Sequence, residues 1–339
     1  MRRLIALGIG LIVTTALAQD QIRPADTVAA ENTNASSRPS ATIQRIQDLP
    51  SGDGFAVEYV GDHSIRRDPR VVFSEDFEGR DPFVSWSDRK SAENVRIVEQ
   101  DPHSGFHALA IDADLKGDQG GHLFKRLHYG EDTLFVRFYV KFPSPAEYVQ
   151  HFVQISADQP ARKFPFVAAG VCPDGGARFA TAIEPVGAKG AWPAPGAWRL
   201  HSYWCEMAIS DDGKYWGNDF EPIEPIPALS DRWTCVEVMM KANSTPSATD
   251  GMQAFWIDGR LAAAFSGYRW RTDPKLKLNG IALLSSMTEE AARSQGSADP
   301  CQKTSVLFDD LVVATSYVGP QRPMPKPGNA DLLGVKIEH

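Results

Sequence analysis

The feature that most constrains this chain is a stretch at residues 134–142 in which every second residue is apolar. The apolar positions are Leu134, Val136, Phe138, Val140 and Phe142, and the positions between them include Arg137, Tyr139 and Lys141. Successive side chains of a β-strand point to opposite faces of the sheet. This period of two therefore predicts a strand with one face in a core and a polar outer face.

Two further segments show the same period. Arg199, His201 and Tyr203 share one side of Trp198–Met207, and Val236, Val238 and Met240 lie opposite Glu237, Met239, Lys241 and Asn243 in Trp233–Asn243. Shorter apolar runs are separated by Gly, Pro, Asp and Asn, and Asp258-Gly259 is typical of a two-residue hairpin turn. Helical periodicity is nearly absent, apart from one turn expected at Thr288–Arg293. The sequence thus predicts an all-β sandwich or barrel.

The N-terminus has the pattern of an export signal. Met1-Arg2-Arg3 is a positive start, an apolar run follows, and Ala16-Leu17-Ala18 is typical of a cleavage site. We expect a signal peptide at 1–18, a secreted or periplasmic location and no membrane span. The expected order continues with a disordered linker at 19–70, one domain at 71–318 and a Pro-rich tail at 319–339.

Charge and cysteine content limit the classes of partner. The formal net charge of -8 argues against nucleic acid, although Arg and Lys gathered in one groove would still bind an acidic polymer. The cysteines are Cys172, Cys205, Cys235 and Cys301. An even number in an exported chain predicts up to two disulfides, with the connectivity open. No C-x-x-C pair suggests a metal site.

Several catalytic signatures are missing from the sequence. It has no G-x-S-x-G nucleophile elbow, no P-loop and no G-x-G-x-x-G run. It also lacks an E-x-D-x-E run, which would place three carboxylates on one strand face of a retaining glucanase.

Three motifs resemble those of concanavalin A-like lectin/glucanase domains. They are Ser74–Gly79 near the start, Phe255–Arg260 late in the domain and Phe308–Leu311 near its end. Phe135–Phe142, followed by Tyr148–Phe152, resembles secreted bacterial polysaccharide lyases of this jelly-roll superfamily. The resemblance implies a β-sandwich of two antiparallel sheets, an acidic polysaccharide or other glycan as the partner, and a monomer.

A polysaccharide lyase works by β-elimination beside a uronate. It must neutralise a carboxylate, remove the C5 proton and protonate the leaving oxygen. We expect Arg137 to hold the carboxylate, His151 or Tyr203 to act as base, and Tyr139 or Tyr203 to act as acid. The expected groove is lined by Lys141, Arg199, His201, Lys241 and Asn243, and His201 is a further catalytic candidate without an assigned step. The chemistry requires no cofactor.

Two additional sites are expected. The superfamily resemblance implies a structural calcium ion where the first and last strands meet, and Glu75, Asp76, Asp309 and Asp310 are the candidate ligands. Tyr215 and Trp216 lie in an aromatic, turn-rich segment and would either stack on sugar rings or close the core of the sandwich.

Two other functions remain open beside the lyase. A non-catalytic carbohydrate-binding module would share the fold without the chemistry. A glycoside hydrolase would need two separated carboxylates that the fold brings together.

Overall fold

The computed structural model describes residues 49–117, 119–149, 152–160 and 169–324. The strands are β1 (Val71–Glu75), β2 (Asp88–Lys90), β3 (Val95–Val98), β4 (Ala108–Asp114), β5 (Gly120–Glu131), β6 (Thr133–Lys141), β7 (Val153–Asp158), β8 (Arg178–Val186), β9 (Ala197–Tyr203), β10 (Asn218–Phe220), β11 (Thr234–Lys241), β12 (Gly251–Ile257), β13 (Arg260–Tyr268), β14 (Leu278–Ser286) and β15 (Lys303–Ala314). One α-helix, α1 (Glu289–Gln295), and 3-10 helices at Phe55–Glu58 and Ile65–Arg67 accompany them.

The strands form two sheets. Sheet I has the order β13-β12-β11-β6-β15-β4-β3, with β1 also paired to β15, and sheet II has the order β10-β9-β8-β7-β14-β5-β2. Neighbouring strands are antiparallel in both sheets. The prediction of an all-β sandwich of two antiparallel sheets is confirmed.

The core lies between the sheets and uses the alternate positions predicted from the sequence. Phe138 of β6 and Phe308 of β15 meet Phe152 from the other sheet, with ring centroids 5.3 to 6.4 Å apart. All three side chains are fully buried. Each apolar strand face is therefore stabilised by burial against the opposite sheet.

Two local predictions are also confirmed. Asp258 and Gly259 join β12 to β13 with φ of 48° and 75°, as a tight hairpin with two left-handed residues requires. The expected helical turn is α1, and the Thr288 hydroxyl caps it by accepting a hydrogen bond of 3.0 Å from the Ala291 N–H.

The expected linker is wrong for its described part, residues 49–70. Phe55 and Ile65 are buried against Val312 and Val318, and the Ala56 N–H donates to the Val318 carbonyl at 2.9 Å. These apolar residues are few and show no periodicity, so their packing on the sandwich could not be predicted from the local pattern. Residues 319–324 of the expected tail also lie on the sandwich, because the Gln321 N–H donates to the Tyr139 hydroxyl.

The expected signal peptide at 1–18, residues 19–48 and residues 325–339 lie outside the described residues. All four cysteines are free thiols in the structure, so the expected disulfides are not formed. Within the described ranges, no helix has the length and apolar character needed to cross a bilayer.

Candidate functional site

The polar face of β6 is not open to a substrate. Arg137 is fully buried and pairs with Asp62 of the N-terminal segment. Tyr139 stacks on His103 with ring centroids 3.5 Å apart, and burial raises its pKa. The predicted catalytic roles of Arg137 and Tyr139 are therefore wrong, because the terminal segments cover this face of sheet I.

The other groove residues predicted on sheet I have structural surroundings. Lys141 pairs with Asp101, and Lys241 is exposed at the end of β11. Asn243 is fully buried, and its amide donates to and accepts from the backbone of Arg271 at 2.9 Å. These residues do not line one groove. His151, the remaining candidate base, lies outside the described residues.

The four acidic residues expected to bind calcium are engaged by protein donors. The Asp309 carboxylate accepts the His103 N–H at 2.9 Å, and Asp310 contacts the His103 ring at 2.7 Å. Glu75 accepts from the Ser85 hydroxyl, whereas Asp76 accepts from a backbone N–H. In the described part of the chain these four do not form a cluster of metal ligands. The donor set does not fit a calcium ion, which needs several free oxygens around one point.

The polar face of β9 lies on the outer side of sheet II. Arg199, His201 and Tyr203 alternate with Leu200 and Ser202, which are fully buried on the inner side. The rings of His201 and Tyr203 lie 5.2 Å apart, nearly perpendicular to each other. The structure thus brings together the three residues of β9 that the sequence grouped.

Two acids that the sequence analysis missed complete this cluster. Asp219 of β10 accepts from Nδ1 of His201 at 2.6 Å and from Nη1 of Arg199 at 2.7 Å. Glu184 of β8 accepts from Nη2 of Arg199 at 3.0 Å. We call Glu184, Arg199, His201, Tyr203 and Asp219 the β9 site. Because Arg199 already holds two carboxylates, it is not the free substrate-binding residue that was predicted.

The electrostatics of the β9 site give its two candidates for proton transfer, His201 and Tyr203, different pKa values. Burial lowers the pKa of His201, but the hydrogen bond to Asp219 and the charge of Glu184 outweigh it, so the pKa is raised above 6.5. Burial and the same two carboxylates raise the pKa of Tyr203 to about 12. His201 therefore exchanges a proton nearer to neutral pH, whereas Tyr203 keeps its proton.

The segment after β9 packs onto both groups. The Tyr203 hydroxyl donates to the Trp216 carbonyl at 2.6 Å. An ideal Cβ on Gly217 would lie 2.3 Å from Nε2 of His201, so only glycine fits there. The His201 side chain remains 20% exposed. Trp216 is 42% exposed, as the sugar-stacking alternative requires. Tyr215 is half-buried against the core, as the core-closing alternative requires.

The register of sheet II places an amide donor on β7 in line with His201 on β9, with one residue of β8 between them. His201 pairs with Ala182, and Ala182 pairs with Gln154 of β7. Gln154 is half-buried, and its side-chain amide makes no hydrogen bond with another described residue. Two strand spacings put its Cα about 10 Å from that of His201. The small Ala182 side chain between them leaves space for a ligand group.

The β9 site also includes the one group of potential metal ligands found among the described residues. Ligand atoms of Glu184, His201 and Asp219 lie within 4.8 Å of one another. The guanidinium of Arg199 already bridges the two carboxylates. A cation at this point would meet that positive charge, so the set does not fit a metal ion.

The fold is that of known jelly rolls. No protein-family model and no curated protein matches the sequence. The structure is similar to the alginate lyase vAL-1 from Chlorella virus, with a TM-score of 0.54 and 12% identity over 73% of this chain and 100% of that chain. It is also similar to the marine PL-14 alginate lyase from Aplysia kurodai, with a TM-score of 0.55 and 14% identity over 72% and 99%. The chain has the concanavalin A-like jelly-roll fold. At these identities the likeness shows the fold alone.

Proposed function

We propose that this chain is a polysaccharide lyase that cleaves a uronate-containing polysaccharide by β-elimination on the outer face of sheet II. The observation that carries the proposal is the Asp219–His201 pair beside Tyr203, with the amide of Gln154, unpartnered among the described residues, two strands away in register. The fold likeness to two proteins described as alginate lyases supports the same reaction class.

His201 is the base in this proposal. Asp219 holds Nδ1 and so fixes the tautomer that leaves Nε2 as the proton acceptor. Gly217 packs on the Nε2 edge of the ring without a side chain, and the His201 side chain as a whole is 20% exposed. Because the pKa of His201 is raised, the fraction of neutral His201 grows as the pH rises through this raised pKa.

Tyr203 is the acid. The raised pKa of about 12 keeps the phenol protonated at neutral pH, ready to donate to the leaving glycosidic oxygen. In the free protein that hydroxyl donates to the Trp216 carbonyl, so Tyr203 must exchange this hydrogen bond for one to the leaving oxygen when substrate binds.

Gln154 takes the role first assigned to Arg137. An amide N–H₂ donates two hydrogen bonds to a carboxylate and stabilises the charge that moves onto it as the C5 proton leaves. Arg199 instead holds Glu184 and Asp219 in place. It is a positioning residue for the His201 tautomer.

The carboxylate pair in the β9 site also brings a glycoside hydrolase into consideration. Glu184 and Asp219 are close enough to flank a glycosidic bond, within 4.8 Å. A hydrolase needs one carboxyl group that is protonated near neutral pH. Burial would raise the pKa of Asp219, but His201 and Arg199 lower it overall, and this favours the lyase.

The test is the ultraviolet absorbance of unsaturated uronate products during incubation with a panel of acidic polysaccharides. We expect one polymer to give a rising signal that is lost in Tyr203→Phe and in His201→Asn. New reducing ends without the absorbance would instead establish hydrolysis. Retention of the polymer in an affinity gel without any cleavage would establish a binding module.

Matched controls come from the other end of the sheet. Tyr129 is 77% exposed and His128 is exposed beside it, with ring centroids 4.3 Å apart. Tyr129→Phe and His128→Asn make the same chemical changes outside the β9 site. Full activity in both controls is required for the assignment to stand.

A further inference from the structure

The loop that follows β9 carries an exposed aromatic ring in a fixed position. Trp216 is 42% exposed, and its indole N–H donates to the Asp212 carboxylate at 2.8 Å. The other oxygen of Asp212 accepts the Lys214 backbone N–H at 3.1 Å. The Gly170 N–H donates to the Tyr215 carbonyl at 2.8 Å and so fixes the loop to the segment that contains Gly170. An exposed tryptophan is costly in water, and a ring held in this way is prepared for a ligand.

A cation lies beside the ring and makes no ion pair with a described carboxylate, although the charge of Asp212 acts on it from a longer distance. The Lys214 ammonium is 5.4 Å from the centroid of Trp216. Lys214 is exposed, and in the described part of the chain no carboxylate lies within ion-pair distance of it. A cation–π contact at an exposed site is weak, so the ammonium is free to exchange it for an anion.

This ring is joined to the proposed acid. The Trp216 carbonyl accepts the Tyr203 hydroxyl, and the next residue, Gly217, packs on His201. The Trp216 backbone is thus bonded to Tyr203 and precedes the residue that packs on His201, which suits a polymer subsite near the one that is cleaved.

We propose that Trp216 and Lys214 form a subsite that binds a uronate residue of the polymer, with the sugar ring stacked on the indole and its carboxylate paired with the ammonium. The inference rests on the proposed function and adds a charge requirement at a second position of the chain. A neutral sugar would use only the indole, whereas a uronate uses both groups.

The experiment measures KM for the cleaved polymer in Lys214→Met, Lys214→Arg and Trp216→Ala. Lys214→Met keeps the stem and removes the charge, so we expect KM to rise about fivefold at low salt and the difference to disappear at high salt. Lys214→Arg should restore the wild-type value. Trp216→Ala should raise KM about tenfold at any salt concentration. The matched control is Lys116→Met, an exposed lysine in the turn between β4 and β5.

A second measurement does not depend on turnover. The Tyr203→Phe protein is titrated with a uronate oligosaccharide and with its carboxyl-reduced form while tryptophan fluorescence is followed. We expect tighter binding of the uronate form, and loss of that preference when Lys214→Met is added. Cleavage with unchanged KM in Lys214→Met and Trp216→Ala would overturn the subsite and leave the lyase intact. Absence of both cleavage and binding would overturn both proposals.

Discussion

Replacing Gly217 with alanine should disable the β9 site while leaving the fold in place. The added Cβ would lie 2.3 Å from Nε2 of His201 and 2.9 Å from Cε2 of Tyr203. Ordinary contacts begin near 3.4 Å, so the imidazole has to move by about 1 Å. A displacement of about 1 Å at a reacting group costs roughly 100-fold in rate. We therefore expect kcat/KM to fall about 100-fold.

The backbone cost of this change is separable from the clash. Gly217 has φ of +93°, and a left-handed conformation costs an L-residue about 1–2 kcal/mol. Gly213, in the same loop, has φ of +79° and nothing within 4 Å of its ideal Cβ. Gly213→Ala should thus lower Tm about as much as Gly217→Ala does, and the variant should keep its activity.

The comparison requires two measurements on Gly217→Ala and Gly213→Ala. They are the initial rate of the rise in product absorbance and the Tm of thermal unfolding. If Gly217→Ala keeps activity within about threefold of Gly213→Ala, the imidazole edge beneath residue 217 is not where the reaction occurs. The assignment of His201 as base would then be wrong, even if the chain is a lyase.

Three further predictions concern charges. Asp219→Asn removes the acceptor that raises the pKa of His201, so the acid limb of the kcat/KM profile should move to lower pH and the plateau should fall about 10²- to 10⁴-fold. Arg137→Met leaves Asp62 buried without its partner and should lower the free energy of unfolding by about 3–5 kcal/mol in urea titrations, with activity following the folded fraction. Burial raises the pKa of Glu237 from 4.5 to about 7. The folded state then holds this proton more tightly than the unfolded state, so stability should decline by about 3 kcal/mol as the pH rises between these values. Glu237→Gln should flatten that decline.

The strand pattern predicted the sandwich because alternation is a local property. The faces of β6 and β9 were both assigned correctly as polar, and the Asp258-Gly259 hairpin and the helical turn after Thr288 were predicted from local sequence. The sheet to which each strand belongs depends on pairings between segments far apart in the chain. Arg137 and His201 were therefore placed in one site although they lie on opposite outer faces of the sandwich.

The missed residues illustrate the same limit. Asp219 lies in a three-residue strand within an aromatic loop, and its role comes from pairing opposite His201. Glu184 meets Arg199 through the register of β8 with β9. Gln154 had a usable signal in the sequence, because it is a single polar residue flanked by the apolar residues Val153 and Ile155. A search for single polar residues within apolar strands would have found it.

The polar outer faces of sheet I and sheet II differ in what covers them. This difference distinguishes polar residues that stabilise the fold from those that are candidates for binding substrate. On sheet I the terminal segments provide partners for part of the polar face, since Asp62 pairs with Nη2 of Arg137 and the backbone of Val318 and Gly319 donates to Glu237. Nε and Nη1 of Arg137 are buried without a partner among the described residues. Buried polar groups need such partners to be stable, whatever the protein does. On sheet II, Gln154 is only half-buried, and its amide has no hydrogen-bond partner among the described residues. An unpaired donor is destabilising unless water or a ligand satisfies it, and a ligand can reach a half-buried amide but not the fully buried guanidinium of Arg137, so the place to look for substrate is beside Gln154.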